Sequence, residues 1–170
     1  DVAVPANMHV GLHQEDLAKQ GLALSARDAI NSLGRPDILL VDLREASERA
    51  KHGTISGALH APYPGIAESL QPGGMLREVA AATGRRVVFF CAFGERSAMA
   101  VAAAKNAGLA NTAHIEGGID AWKKVGGPVV ICGHSSGGSV ALEALVASPS
   151  SFTGAVIYEP GDHFLLCSDG

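Results

Sequence analysis

Apolar runs alternate along the chain with segments of helical composition. Runs of strand length occupy residues 37–44, 57–63, 85–91 and 111–118, and the segments around them predict helices at 26–33, 45–53, 65–83, 95–109 and 119–127. The runs at 37–44 and 85–91 have continuous apolar segments, ILLV and VVFFC, which is typical of parallel strands covered by helices on both faces. The pattern therefore predicts an α/β fold, a doubly wound parallel sheet of about five strands flanked by helices.

Local signals set the limits of this predicted domain. Ser25 stands where it caps the helix at 26–33, and a glycine and a proline follow that helix. Residues 1–24 are weakly periodic and are interrupted by Pro5 and two glycines, which predicts a loosely attached N-terminal arm. The 170 residues, 47% hydrophobic and 18% charged, are enough for one globular domain with an appendage.

Composition excludes several classes of partner. The net charge is −4 and no run of Lys and Arg is long enough to track phosphates, so we expect no nucleic-acid partner. No apolar stretch approaches the about 18–20 residues that span a bilayer, and the first residues, DVAVPANMHV, lack the pattern of a signal peptide. Three widely separated cysteines argue against a disulfide framework. We expect a cytoplasmic protein with no membrane partner, no metal and no cofactor.

The segment VVFFCAFGERSAMA (87–100) ends a buried strand on a thiol and continues through a short turn into a helix. In that arrangement the N–H groups of the turn and the positive end of the helix favour an anion. Gly94 lets the turn curl, Arg96 can hold an oxyanion in two-pronged fashion, and Ser97 can cap the helix or donate to the anion. This suits a Cys91 that attacks a small anion and carries part of it covalently. An inert core cysteine is the alternative, which the neighbouring Gly, Arg and Ser disfavour.

Four stretches together resemble the rhodanese domain of sulfurtransferases over residues 25–128. ILLVDLREASERAKHGTISGALHAPY (38–63) resembles the family's opening D-x-R-E … H-I-x-G-A-x-x-x-P segment. CAFGERS (91–97) resembles its active-site loop, C-x-x-G-x-R-S. HIEGGIDAW (114–122) resembles the late L-x-G-G-x-x-A-W segment, and residues 127–129 resemble the ending that follows it.

The resemblance implies that Cys91 accepts a sulfane sulfur and becomes a persulfide. It also implies a small sulfur donor such as thiosulfate or a persulfide, and a thiol or cyanide acceptor. The loop that would bind the transferred sulfur, with Phe93 at its entrance, consists of Ala92, Phe93, Gly94, Glu95, Arg96 and Ser97. Only four residues separate Cys91 from Arg96, fewer than in related phosphatases, which favours a sulfur atom over a phosphoryl group. The alternative is a persulfide carrier or interaction module that serves a partner protein.

We also predict structural roles for residues close to these motifs. We expect Asp42 and Arg44 to form a charged pair near the end of their strand, where the pair supports the loop. We expect Glu95, which stands beside Arg96, to face solvent or to pair with that arginine. Thr54 and Ser56 depart from the family pattern, and we interpret them as surface variation.

After Pro128 the pattern changes. Residues 129–160 predict strand, sharp turn, helix and strand, and GHSSG (133–137) matches the G-x-S-x-G nucleophile elbow of α/β-hydrolases, with Ser135 in the nucleophile position. An esterase would also need an acidic residue and a histidine on later elements. Asp162 and His163 are adjacent and come too early for that, so a Ser135 esterase is an outside alternative.

The last residues, 161–170, resemble a strand of the metal-dependent Ser/Thr phosphatases, in which Asp169 would stand without further ligands. The appendage, residues 129–170, thus combines unrelated fragments, whether it is genuine, chimeric or an artefact. A lone strand–helix–strand unit lacks a core of its own. It would therefore extend the sheet at an edge, pair with a second copy in a homodimer, or remain poorly ordered.

Overall fold

The computed structural model describes residues 14–134, 136–158 and 164–167. The strands of the first sheet are β1 (Ala23–Leu24), β2 (Ile38–Asp42), β3 (Leu59–His60), β4 (Arg86–Phe90) and β5 (Thr112–Ile115). They are all parallel and lie in the order β1-β5-β4-β2-β3. The predicted α/β fold with a five-stranded parallel sheet is confirmed, and the strand that leads to Cys91 is its central strand.

Helices connect these strands. They are α1 (residues 14–19), α2 (Ala26–Asn31), α3 (Ala46–His52), α4 (Ile66–Ser69), α5 (Met75–Thr83), α6 (Glu95–Asn106) and α7 (Gly118–Lys124). Ser25 caps α2 as predicted, because its hydroxyl accepts the N–H of Asp28 at 3.1 Å. A reciprocal capping box between Glu45 and Glu48 begins α3. None of the helices within the described ranges has the length and apolar character needed to cross a bilayer.

Side chains alternate between the two faces of the central strand, as the pleat of a strand requires. Val87 and Phe89 belong to a core cluster with residues of α5 and α6, whereas Val88 and Phe90 belong to a second cluster with residues of α2 and α7. All four are fully buried. The sheet is therefore covered on both faces. Cys91 directly follows the central strand and belongs to the first cluster.

The N-terminal segment differs from the expectation of a loosely attached arm. Leu17 of α1 is buried in the first core cluster. Residues 23–24 form an edge strand in register with His114 and Ile115. The segment lacks a long periodic run, but two strand residues and one buried leucine are sufficient to attach residues 14–24. The domain boundary at residue 25 stays a prediction.

The appendage forms a separate three-stranded sheet. Its strands β6 (Val130–His134), β7 (Gly154–Tyr158) and β8 (Phe164–Cys167) lie in that order, β6 and β7 parallel and β7 and β8 antiparallel. Helix α8 (Ser136–Ala147) crosses between β6 and β7. The described strands do not extend the first sheet; an isolated antiparallel bridge between Thr54 and Val130 links the two units. The expectation of a homodimer stays a prediction.

Candidate active site

Cys91 lies between the central strand and α6, where the carboxyl end of the sheet meets the start of a helix. Its side chain has no solvent exposure. The backbone N–H of Gly94 donates to the sulfur at an N···S distance of 3.1 Å. Burial fits the alternative of a core cysteine, but the N–H directed at the sulfur is the contact that an anion-stabilising loop requires.

Two glycines allow the loop to reach this geometry. Gly94 has φ 104°, in the region that side chains rarely adopt, and a Cβ there would lie 3.1 Å from the backbone nitrogen of Gly117. Gly118, at the start of α7, has φ 62°, and a Cβ on it would collide with the carbonyl of Cys91. Gly94 of the loop and Gly117 and Gly118 at the start of α7 therefore allow two backbone segments to pack closely beside the sulfur.

A buried polar chain continues from the sulfur into the domain. The Cys91 sulfur lies 3.7 Å from the hydroxyl oxygen of Ser97, which lies 3.1 Å from Nδ1 of His114. The Ser97 hydroxyl also lies within hydrogen-bonding distance of the Gly94 carbonyl, at 3.1 Å. Cys91, Ser97 and His114 are all fully buried. Ser97 thus contacts the sulfur directly, although Gly94 rather than Ser97 is the N-cap of α6.

Arg96 contacts the carboxylate of Glu48 through both of its terminal nitrogens, at 2.7 and 2.8 Å. The hydrogen bonds from Arg96 hold the pKa of Glu48 at about 2, and the same interaction raises the pKa of Arg96. Glu95, which we expected to face solvent or to pair with Arg96, is half-buried. The partner of Arg96 is therefore Glu48 of α3, which the sequence analysis did not consider.

Asp42 and Arg44 form a buried ion pair behind the loop. Arg44 donates to the carboxylate of Asp42 from Nε at 3.0 Å and from a terminal nitrogen at 2.7 Å. Thr54 donates to the same carboxylate at 2.6 Å, and Arg49 lies 3.4 Å from it. Our interpretation of Thr54 as surface variation is wrong, because this residue is buried and satisfies an oxygen of Asp42.

A cavity of about 300 Å³, here called the loop cavity, lies beside the loop that follows Cys91. Ala92, Phe93 and Ile119 line it, and Phe93 is 60% exposed. The charged and polar residues around it are Arg44, Glu48, His52, Asp120 and Lys123.

A larger cavity of about 540 Å³, here called the appendage cavity, shares His52 and Lys123 with the loop cavity. Val140 and Phe152 of the appendage form part of its wall. Burial lowers the pKa of His52, and the charge of Lys123 lowers it further. Burial likewise lowers the pKa of Lys123, with a contribution from Arg44. The two cavities therefore share two basic side chains whose charged forms burial disfavours.

Sequence reasoning missed several residues of the site. Glu48 had a detectable signal, because it follows Glu45 by three positions in the pattern of a capping box. The positions of His114 and Lys123 depend on strand register and on helix docking, for which the local sequence gives no signal. Ser135, Asp162, His163 and Asp169 lie outside the described residues. Within the described part of the chain, no group of three or more His, Cys, Asp or Glu is placed to hold a metal ion.

Comparisons with known proteins identify the family of the domain that contains this site. The family model for the rhodanese-like domain matches residues 25–125. A mouse protein named thiosulfate sulfurtransferase/rhodanese-like domain-containing protein 3 is 30% identical over 101 residues, which are 56% of this chain and 64% of that relative. The chain thus matches less than two thirds of the length of this relative.

Two solved structures extend the comparison. A protein of unknown function and possible tyrosine phosphatase from Rhodopseudomonas palustris aligns with a TM-score of 0.62 and 30% identity, over 71% of this chain and 92% of that chain. A human single-domain sulfurtransferase aligns with a TM-score of 0.50 and 25% identity, over 61% of this chain and 96% of that chain. Because the family model covers more than half of the sequence, this chain belongs to the rhodanese-like domain family.

Proposed function

We propose that this chain is a sulfurtransferase that moves sulfane sulfur through a persulfide on Cys91. Membership of the rhodanese-like family supports a function of the sulfurtransferase type. The observation that supports a persulfide on Cys91 is the Gly94 N–H, which donates to the Cys91 sulfur at 3.1 Å. This hydrogen bond favours the ionised sulfur that nucleophilic attack requires.

The start of α6 adds to this stabilisation. The first N–H groups of a helix have no carbonyl partner within the helix and carry partial positive charge. In α6 these groups belong to Glu95, Arg96 and Ser97, directly after Gly94. The Ser97 hydroxyl, 3.7 Å from the sulfur, supplies a further donor when it rotates away from the Gly94 carbonyl. These donors favour the charge on a persulfide and on the departing group.

The reaction has two half-steps. With thiosulfate as donor, the Cys91 thiolate attacks the outer sulfur, a new sulfur–sulfur bond forms, and sulfite leaves with the electron pair of the broken bond. With cyanide as acceptor, its carbon attacks the terminal persulfide sulfur, thiocyanate leaves, and the Cys91 thiolate is regenerated. An acceptor thiolate takes the sulfur in the same way and becomes a persulfide. No metal or organic cofactor enters either step.

The burial of Cys91 imposes one condition on this reaction. Because its side chain is fully buried, the loop has to open far enough for a donor sulfur to make contact. Phe93 is the exposed large side chain of the loop and lines the adjacent cavity. In the proposed reaction, Phe93 moves aside and lets the donor reach the Cys91 sulfur.

Intact mass spectrometry after exposure to thiosulfate tests the proposal. The wild-type protein is expected to gain one sulfur atom and to lose it on treatment with cyanide, and peptide mapping is expected to place that sulfur on Cys91. Cys91→Ser should remove the gain. Cys132→Ser is the matched control, since this cysteine is exposed and lies in the appendage, and its loading should equal that of wild type. Loading that survives Cys91→Ser contradicts the proposal.

A phosphatase assay addresses the function suggested by the name of the Rhodopseudomonas relative. Only four residues separate Cys91 from Arg96, and this arginine is paired with Glu48. We therefore expect no turnover of p-nitrophenyl phosphate by a preparation that accepts sulfur from thiosulfate. Phosphate release that depends on Cys91, without sulfur loading, would replace the proposed function.

A further inference from the structure

Lys123 differs from the other charged side chains around the loop cavity. Arg44 is paired with Asp42, Glu48 with Arg96, and Asp120 with Lys124, each with a nitrogen–oxygen distance of 2.7 Å. Lys123 has no ion pair within 4 Å among the described residues. Its contacts are a hydrogen bond to the His52 carbonyl at 2.8 Å and the ring of Phe152 at 5.6 Å from its nitrogen.

Helix α7 carries Lys123 to the side of the active-site loop. The N–H of Ile119 donates to the Cys91 carbonyl at 2.9 Å, and the N–H of Asp120 donates to the Ala92 carbonyl at 3.1 Å. Residues four apart on a helix lie on the same face. Ile119 and Lys123 are four apart and both line the loop cavity. The backbone of Lys123 thus lies one helical turn after the residue that is hydrogen-bonded to Cys91.

A half-buried ammonium group that contacts one carbonyl oxygen and one aromatic ring, but no carboxylate of the described residues within 4 Å, recovers only part of the solvation that it loses. The lowered pKa of Lys123, caused first by burial and then by Arg44, reflects this. A bound anion in the cavity would restore the missing interaction. Arg96, which the sequence predicts to bind an oxyanion, also interacts with Cys91, but both of its terminal nitrogens contact Glu48, and this carboxylate offsets its charge.

We propose that Lys123 and the loop cavity form a subsite that binds the anionic group of a small sulfur donor. That group is the sulfonate end of thiosulfate or a carboxylate of a low-molecular-weight thiol persulfide. Phe152 of the appendage lies beside the ammonium nitrogen, so the appendage helps to hold Lys123 in place. The choice of a sulfur donor as the ligand depends on the proposed function, whereas the binding of an anion at Lys123 does not.

Sulfur loading of Lys123→Gln, measured against donor concentration, tests the proposal on the full chain. For thiosulfate and for glutathione persulfide, the concentration giving half-maximal loading should rise on the order of ten-fold, because a charged hydrogen bond is lost, while the maximal rate stays within about two-fold. For hydroxyethyl persulfide, which has no charge beyond its sulfur, the half-maximal concentration should not change. A rise for only one anionic donor identifies which group the subsite takes.

Lys124→Gln is the matched control, because this lysine is adjacent, exposed and paired with Asp120. It should behave as wild type with every donor. Lys123→Arg keeps the charge and should keep most of the affinity, which separates loss of charge from damage to the fold. Equal half-maximal concentrations for wild type and Lys123→Gln with both anionic donors would overturn the subsite.

Calorimetric binding of thiosulfate to Cys91→Ser separates this inference from the proposed function. Cys91→Ser cannot accept sulfur, so the heat reports binding alone. The subsite predicts that the heat persists in the double variant with Lys124→Gln and is lost in the one with Lys123→Gln. Binding that depends on Lys123, in a protein whose wild type never gains sulfur, would leave the subsite standing and remove the sulfurtransferase. Binding that is insensitive to Lys123 refutes the subsite.

Discussion

The chain contains two units in which a strand is followed closely by a helix, one in each sheet. In the first, the central strand β4 leads through Cys91 into α6; in the second, β6 leads through the G-x-S-x-G motif into α8. Both helices have 12 residues. The positions of the two strands differ. β4 lies between β5 and β2, whereas β6 is at the edge of its sheet, next to β7.

Burial follows this difference. Val87 to Phe90 of β4 are all fully buried, on two faces of one sheet. In the appendage the buried core cluster of described residues consists of Ile131 and Ala141. Val146 of α8 is 84% exposed and Val156 of β7 is 46% exposed. Similar local patterns thus differ in how firmly they are packed. Core clusters on both faces of the sheet hold β4 and the loop around the Cys91 sulfur, whereas the second unit depends on contacts with α3 and Phe152.

The same substitution in the two units measures this contrast. Val88→Ala in β4 removes two buried methyl groups and leaves a cavity, so we expect a loss of about 2–3 kcal/mol in the free energy of unfolding. Val156→Ala in β7 should cost less than about 0.5 kcal/mol, because the side chain is half-exposed. Urea denaturation followed by circular dichroism gives both values. Equal losses would show that the appendage is as tightly packed as the first sheet.

Removal of the appendage tests whether the first sheet needs it. A chain that ends at Pro128 loses Val129, which is buried in the second core cluster, and Phe152, which packs against that cluster. We expect a loss of about 2 kcal/mol from the exposed apolar surface. The first core cluster contains no residue beyond 109, so the shortened chain should still fold and accept sulfur. Failure to fold would show that the two units form one cooperative core.

The first sheet was largely predictable because its signals are local. A long apolar run such as 85–91 predicts a buried strand whatever surrounds it. Ser25 marks a helix start through its hydroxyl and Gly53 marks a helix end through its backbone conformation, and both signals are local. The edge strand at Ala23–Leu24 was missed because two residues carry no periodicity. It exists because their backbone pairs with β5, which lies some 90 residues away in sequence.

The candidate site likewise contains residues that the local sequence predicts and residues that depend on how distant elements pack. Cys91, Gly94 and Ser97 are close in sequence, so their spacing predicts that they share a loop. Glu48 and Lys123 reach that loop from α3 and α7, and their positions depend on how those helices pack on the sheet. A sequence gives the residue types that a helix carries, but not which of its charged side chains is left without an ion pair in the folded protein.

A pair of glycine substitutions distinguishes the special conformation of the loop from an ordinary turn. Gly94→Ala introduces strain at φ 104° and a Cβ within 3.1 Å of a backbone nitrogen. We expect it to lower stability by about 1–2 kcal/mol and to slow sulfur loading at least about ten-fold, because the N–H moves away from the sulfur.

Gly84→Ala is the control, since its φ is 64° and a Cβ there would meet no atom within 4 Å. It should cost about 1 kcal/mol from the left-handed conformation alone and leave the rate of loading unchanged. Loading measured by mass spectrometry, together with thermal unfolding, separates the two effects. A Gly94→Ala protein that loads as fast as Gly84→Ala would mean that the Gly94 hydrogen bond does not assist the reaction.

The ion pair between Glu48 and Arg96 gives the smallest expected effect and a specific pH dependence. The folded state lowers the pKa of Glu48 from 4.5 to about 2, so the stabilisation is complete above about pH 4.5 and is lost as the pH falls toward 2. Because both side chains are partly exposed, we expect Glu48→Gln to cost less than about 1 kcal/mol at pH 7. The difference between wild type and this variant in urea denaturation should shrink at pH 3. Glu116→Gln, at an exposed position, should show no such difference at either pH. A Glu48→Gln difference that stays constant from pH 7 to pH 3 would show that the effect does not come from the charge of Glu48, because glutamine keeps the side-chain acceptor of the α3 capping box.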